Sequence, residues 1–381
     1  MFDDKFDDKI LDHIEEKEKF PCFPLPITVI KAENSYLHDI SGKKYIDLTS
    51  NKENNPFGYS NISIENENSF SDSELFNFYG SIKPEEILKS ATGLKKAYFS
   101  SNLSEIYELT GKLINIHLNN TGKDKILISS IYADKALYEI KDVKSDLIPL
   151  NKDSLLKTLF SGSVGAVIIQ IVQINDNFLL AEDEYLTEVR KMCDKKNALL
   201  VFDVAGIAPL RLNKGLFNYN KEIKPDILIL SKGLSQGFPL SSIVVSEKVP
   251  EPDMFESKSR IYAPAYTAAG ELIENFQTGK TNELINSNIK YIMKKIGELS
   301  EIHISLADYY NSGMFFTLVV DISAYEFAKE AFERGVILDT LNDNKIIISP
   351  VYNIKKEETD YFISVFNEIF DKLAKFDRLK Y

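Results

Sequence analysis

The chain has 381 residues, 44% of them hydrophobic and 27% charged, a globular balance that excludes wholesale disorder and sets a prior of two to three domains. Its 45 Lys and Arg stand against 57 Asp and Glu, a formal charge of −12 with no basic patch, so no nucleic-acid partner is expected. With two cysteines (Cys22 and Cys193), four scattered histidines, no apolar run of ~18 residues and a polar, acidic start at Met1 to Asp12, neither a disulfide framework, a zinc site, a membrane span nor a signal peptide is expected. The expectation is a soluble, cytoplasmic protein with neither metal nor membrane partner.

In chain order, Tyr36 to Asp47 reads as a hairpin turning at Ser41-Gly42, and the amide-rich, acidic stretch from Asn61 to Ser73 as a surface loop. Short β-rich runs then recur over 96–101, 125–130, 164–172, 198–204, 226–231 and 241–246. Helical periods lie between them, including 105–118, with Ile106, Leu109, Leu113, Ile114 and Leu118 on one stripe, and 182–195. Val167-Ile168-Ile169 and Ala198 to Phe202 are apolar without alternation, as strands buried on both faces are. An α/β domain with a mainly parallel sheet follows, covering about residues 50–275. The last hundred residues change character: a helix over 283–299, a strand over 313–321, a helix over 325–334 closed by Gly335, a strand over 344–349 and a last helix over 357–376. They read as a separate α+β lobe.

Two of these runs end on charge. Leu199-Leu-Val-Phe finishes at Asp203, and Asp226-Ile-Leu-Ile-Leu-Ser finishes at Lys232. Ligands of open α/β sheets bind beyond the carboxyl ends of strands. An amine partly withdrawn from water there is a competent nucleophile or Schiff-base former, and a buried Asp can hold a protonated heterocyclic nitrogen. By spacing alone, an ion pair capping two strands explains the residues as well.

From Pro24 onward the chain resembles the class III aminotransferases, the acetylornithine, ornithine and 4-aminobutyrate group of pyridoxal-phosphate enzymes. The similarity is carried by Ala32 to Leu48, by Leu186 to Asp203, by Lys224-Pro-Asp-Ile-Leu-Ile-Leu-Ser-Lys-Gly-Leu-Ser-Gln-Gly-Phe-Pro-Leu-Ser241, by Arg334-Gly-Val-Ile-Leu338 and by Asn344-Lys-Ile-Ile-Ile-Ser-Pro350. The resemblance implies a fold-type-I architecture: a large cofactor-binding domain (50–275) with a mainly parallel seven-stranded sheet, a smaller α+β domain (276–381), and an N-terminal segment (1–49) packing with the small domain. It implies pyridoxal phosphate as cofactor, a small-molecule amino donor, a keto acid or aldehyde acceptor, and a homodimer.

It also implies roles for residues. Lys232 matches the Schiff-base lysine that later moves the proton, and Asp203 the acid that keeps the pyridinium nitrogen protonated. Asn102, Leu103 and Ser104 match the helix-initiating turn that cradles the phosphate, with Asn102 and Glu105 at capping-box spacing. Tyr132 sits at the position of the ring-stacking aromatic, Ala205 joins the cofactor-binding set, and Thr267 lies near the hydroxyl that reaches the partner's phosphate. Several family motifs are replaced. Glu-Pro-x-Gln is Gln170-Ile-Val-Gln173, Asp-Glu-x-Gln is Asp203-Val-Ala-Gly206, Gly-His-x-His-Pro is reduced to Phe57-Gly-Tyr-Ser-Asn61, and the carboxylate-gripping arginine is Ile347, with Arg211 the nearest candidate substitute. An active, divergent aminotransferase is one reading. A cofactor-binding or regulatory subunit is another, and a racemase or decarboxylase on the same scaffold a third.

Overall fold

The computed structural model describes residues 25–59, 84–129, 143–147, 150, 157, 163–173, 179–252 and 262–378. Tyr132 and the stretch from Asn61 to Ser73 lie outside them. The chain divides into two compact units, residues 62–282 and residues 1–61 with 283–381. Among the described residues no helix is long and apolar enough to cross a membrane.

The described residues open with strands β1 (Val29–Glu33), β2 (Tyr36–Asp39) and β3 (Lys44–Asp47) in the second of these units. In the first unit follow α1 (Pro84–Thr92), β4 (Lys96–Ser100), α2 (Leu103–Thr121), β5 (Lys125–Ile128), β6 (Lys144–Leu147), β7 (Val164–Gln170) and the small β8–β9 hairpin (Val172–Gln173, Leu179–Leu180). Then come α3 (Asp183–Lys196), β10 (Leu199–Asp203), β11 (Ile227–Leu230), β12 (Ser241–Val245) and α4 (Ala263–Gln277). Seven strands form one sheet in the order β4-β12-β11-β10-β7-β5-β6, in which only β12 runs against its neighbours. β7, β10, β11 and β12 are buried at nearly every position, which is why their sequences do not alternate. α2 lays Ile106, Leu109, Leu113, Ile114 and Leu118 onto the sheet's core cluster, with Ile126, Ile168, Val201 and Ile229 beneath them.

The remaining elements, after the connecting helix α5 (Lys280–Ile302), are β13 (Leu306–Ser312), β14 (Phe315–Val320), α6 (Ala324–Glu333), β15 (Val336–Ile337), β16 (Asp339–Thr340), β17 (Lys345–Ile348) and α7 (Lys356–Arg378). They build a four-stranded sheet, β13-β14-β17-β16, while β15 joins β1-β2-β3 by pairing in parallel with β3. Gly335 makes that junction: its φ is +78°, and a Cβ would stand 2.6 Å from the Lys44 carbonyl, so the turn after α6 requires glycine. Residues 49–59 belong to the same unit. The Asp47 carboxylate accepts the Thr49 and Asn51 N–H groups and the Tyr59 hydroxyl, and Asn34 bridges Tyr59. Ile347 is buried in β17, opposite Thr317 on one side and Asp339 on the other.

Candidate active site

β10 and β11 run parallel and in register, so their carboxyl ends bring Asp203 and the segment after Leu230 to one edge of the sheet. Asp203 is only 4% exposed. Its Oδ1 accepts the Ala205 N–H at 3.0 Å and its Oδ2 the Tyr107 hydroxyl at 3.1 Å. The Ala205 carbonyl in turn accepts the Lys232 N–H at 3.0 Å. One residue, Ala205, therefore ties the acid to the lysine. Lys232 is half-buried and adjoins a recess lined by Val204, Ile207, Phe217, Asn218 and Leu234.

β4 lies parallel to β11 across the antiparallel β12, so its carboxyl end and the start of α2 come to the same edge. The Asn102 side chain caps α2 by accepting the Ser104 N–H at 2.9 Å. The capping-box spacing is used differently from expectation. Glu105 does not reach the Asn102 N–H directly; it accepts the Ser100 hydroxyl, and Ser100 Oγ accepts the Asn102 N–H. The Ser100 hydroxyl, at the end of β4, stands between the Glu105 carboxylate and the Asn102 N–H. Leu103 packs on the core cluster while Asn102 and Ser104 are exposed, so the branch at 103 turns inward and the outer side of the turn is polar. A helix N-terminus of this kind favours an anion.

Sequence reasoning missed Tyr107, which sits in the second turn of α2 and reads as one more core aromatic. Burial, aided by the Asp203 charge, pushes its phenol far above the ordinary value, so it stays a donor. Gln170 was read only as a departure. Its Cα pairs with Asp203 across β7 and β10, and its Oε1 is buried without a hydrogen-bond partner. Its N–H donates to Ser129 Oγ, and Gln173 Nε2 donates to the Ser129 carbonyl.

Thr267 is exposed on α4. Arg211 is wholly buried, its guanidinium sealed from solvent. At Gly206, where the resembling family has a glutamine, an added Cβ would meet nothing within 4 Å. The open space at Gly206, the unpartnered Gln170 oxygen, the polar start of α2 and the joined Asp203 and Lys232 together fit pyridoxal phosphate: room for a ring, an anion site, an acid and an amine.

Comparison with known proteins gives the same direction. The family model described as Aminotransferase class-III matches residues 119–370. Acetylornithine aminotransferase of Methanocaldococcus jannaschii is 23% identical, covering 92% of this chain and 95% of that protein. The enzyme of that name from Clostridium acetobutylicum is 26% identical over 90% of this chain and 96% of its own length. Among solved structures, acetylornithine aminotransferase from Elizabethkingia anophelis superposes with a TM-score of 0.79 at 18% identity, covering 96% and 99% of the two chains. An ornithine aminotransferase from Toxoplasma gondii, with partial occupancy of PLP at its active site, gives a TM-score of 0.80 at 16% identity, covering 97% and 95%. At such identities the structural likeness is one of fold.

Proposed function

Because the chain belongs to the class-III aminotransferases, whose cofactor is pyridoxal phosphate, we propose that Lys232 tethers that cofactor while the enzyme moves an amino group from a small-molecule donor to a keto acid or aldehyde. When bound, the cofactor supplies an electron sink for the carbanion left at the donor's α-carbon. Lys232 Nζ would be the base that takes the donor's α-proton and gives it back. Asp203 is the ionised counter-charge of the ring nitrogen. The first turn of α2, at Asn102, Leu103 and Ser104, would hold the phosphate and Ala205 would line the ring's site, while Tyr132 takes the stacking role on the family resemblance alone. On this reading the unit of residues 62–282 is the cofactor-binding domain.

The observation that carries the reading is the shared link at Ala205, which accepts from Lys232 and donates to Asp203. Borohydride reduction of the loaded protein followed by peptide mapping tests it. The adduct is expected on Lys232, and an unmodified Lys232 peptide from cofactor-saturated protein overturns it.

The same reading makes the enzyme a cytoplasmic homodimer in which Thr267 serves the partner's phosphate site. Sedimentation giving a monomer with cofactor bound contradicts that arrangement. The substrate is narrowed by Ile347, at the position of the family's carboxylate-gripping arginine. Here that position is 5% exposed, and Arg211, the nearest substitute, is sealed in the interior. A buried carboxylate without a cation or several donors is costly. Glutamate and 2-oxoglutarate are accordingly a weak pair, and an amine without a neighbouring carboxylate is preferred. The glutamate half-reaction, followed by cofactor absorbance in the natural protein and in Ile347→Arg, decides it: ordinary glutamate affinity in the natural protein, with no gain on substitution, refutes this account.

A further inference from the structure

Asp203 is a nearly sealed carboxylate, and such a group stays charged only where donors meet it. The donors that meet it include the Ala205 N–H at Oδ1 and the Tyr107 O–H at Oδ2. Ala205 belongs to the loop that follows β10 and moves with Asp203. Tyr107 comes from a different element, the helix whose first turn carries Asn102 and Ser104. An ionised carboxylate has about four acceptor positions, so these two donors do not by themselves saturate it.

We propose that Tyr107 is a positioning residue for the cofactor ring: its hydroxyl fixes the Asp203 carboxylate in one orientation and keeps it ionised, so that the shared proton resides on the ring nitrogen. The proposal rests on the reading of Asp203 as the ring's counter-charge.

The physical argument runs through basicity. A hydrogen bond donated to the charged form of an acid stabilises that form and makes it a weaker base. Between Asp203 and a ring nitrogen there is one proton, and it goes to the stronger base. With Tyr107 donating, the carboxylate is the weaker of the two. Without that donor the carboxylate gains proton affinity, the proton shifts toward Asp203, and the ring loses part of its capacity as an electron sink. Burial of Tyr107 beside a negative charge keeps its phenol protonated, so the donor is not switched off at working pH. The helix also gives the contact a geometric sense, because one rod sets both the polar turn at Asn102 and the donor to Asp203.

The test uses the full chain loaded with cofactor carrying ¹⁵N in its ring, in the natural protein, Tyr107→Phe and Asp203→Asn. The tyrosine ring packs on the core cluster, so phenylalanine keeps the packing and removes only the donor. The ring-nitrogen resonance is expected at its protonated position in the natural protein, displaced toward the neutral position in Tyr107→Phe, and at the neutral position in Asp203→Asn. Turnover of Tyr107→Phe should fall about tenfold with KM for the amino donor within about twofold. If Asp203→Asn moves the resonance and Tyr107→Phe leaves both resonance and turnover unchanged, the proposal fails and the Asp203 reading stands. If Asp203→Asn leaves the resonance unmoved, both fail. Should Tyr107→Phe not hold its fold, 3-fluorotyrosine introduced at that site alone supplies a stronger donor. Followed over a pH titration, a ring nitrogen that stays protonated to higher pH than in the natural protein supports the proposal, and one whose titration is unchanged or moves to lower pH overturns it.

Discussion

The two ends of the seven-stranded sheet hold their buried acids differently. At the amino end, Asp226 precedes β11 and is met by Arg190 Nη1 at 2.9 Å, by the Leu200 N–H at 2.8 Å and by Ser246 Oγ at 3.2 Å. Lys248 stands 3.7 Å away and also donates to the Ala198 carbonyl, while Lys123 and His117 meet the Asn197 carbonyl. At the carboxyl end, the donors to Asp203 include a phenol and a peptide N–H. Ion pairing consumes a carboxylate's charge locally, whereas neutral donors hold the group in place and leave its field available to a ligand. The amino end is organised as a clamp and the carboxyl end as a socket.

The comparison is broken most severely at Lys232. Lys232→Ala should lower turnover by about a thousandfold or more in steady-state assays while leaving the denaturation midpoint nearly unchanged; a large loss of stability would mean that the carboxyl end is also a clamp. Next come the two acids, which should separate cleanly. Asp203→Asn is expected to cost on the order of a hundredfold in turnover and no more than about 1 kcal/mol of stability. Asp226→Asn should reverse the pattern: about 2 kcal/mol lost in urea unfolding, because the pair with Arg190 is broken while Arg190 keeps Asp194 and the Lys224 carbonyl, with little change in turnover.

A pH effect sharpens the amino end further. Burial holds the His117 imidazole below its ordinary 6.5, outweighing the hydrogen bond to the Asn197 carbonyl. The unfolded chain therefore takes up a proton near 6.5 while the folded one does not. Stability from this site is present above that pH and is lost on acidification below it, with a slope of at most ~1.4 kcal/mol per pH unit. Urea titrations at successive pH values should show the slope in the natural protein and its absence in His117→Gln. The smallest effect lies at the α2 cap. Asn102→Ala should cost about 1 kcal/mol, measurable as a lower Tm, because only the bond to the Ser104 N–H is removed.

The sheet and its lysine were legible because the sequence states them strongly. Leu199 to Phe202 and Ile227 to Leu230 are unbroken apolar runs, each followed within two residues by one charge, and only a central strand tolerates that pattern. Two edge strands were not legible, although β4, at the other edge of the seven-stranded sheet, was. β6 (KSDL) and β13 (LADYYNS) are exposed or half-exposed at nearly every position, so no burial shaped their residues, and backbone pairing alone makes them strands. Tyr107 was hidden for the opposite reason. It neighbours Ile106 in the core-facing part of α2, and nothing in its own window reveals that its hydroxyl meets an acid on another element. Ser100 was hidden similarly, since its relay between Glu105 and Asn102 depends on where the helix begins.

The parallel pairing of β3 with β15 has a consequence for biosynthesis. Ile46 and Val336 are partners, with most of the chain between them. During translation the β1–β3 strands leave the ribosome able to pair with one another, but the outer edge of β3 has no mate until Val336 and Ile337 are made. Residues 62–282 contain all seven strands of their own sheet and have everything they need earlier. Closing so long a loop costs entropy that grows only logarithmically with its length, yet contacts of such range fold slowly. The unit holding both chain ends is therefore the last to mature, and an unpaired β3 edge is the surface a chaperone would have to guard in the meantime.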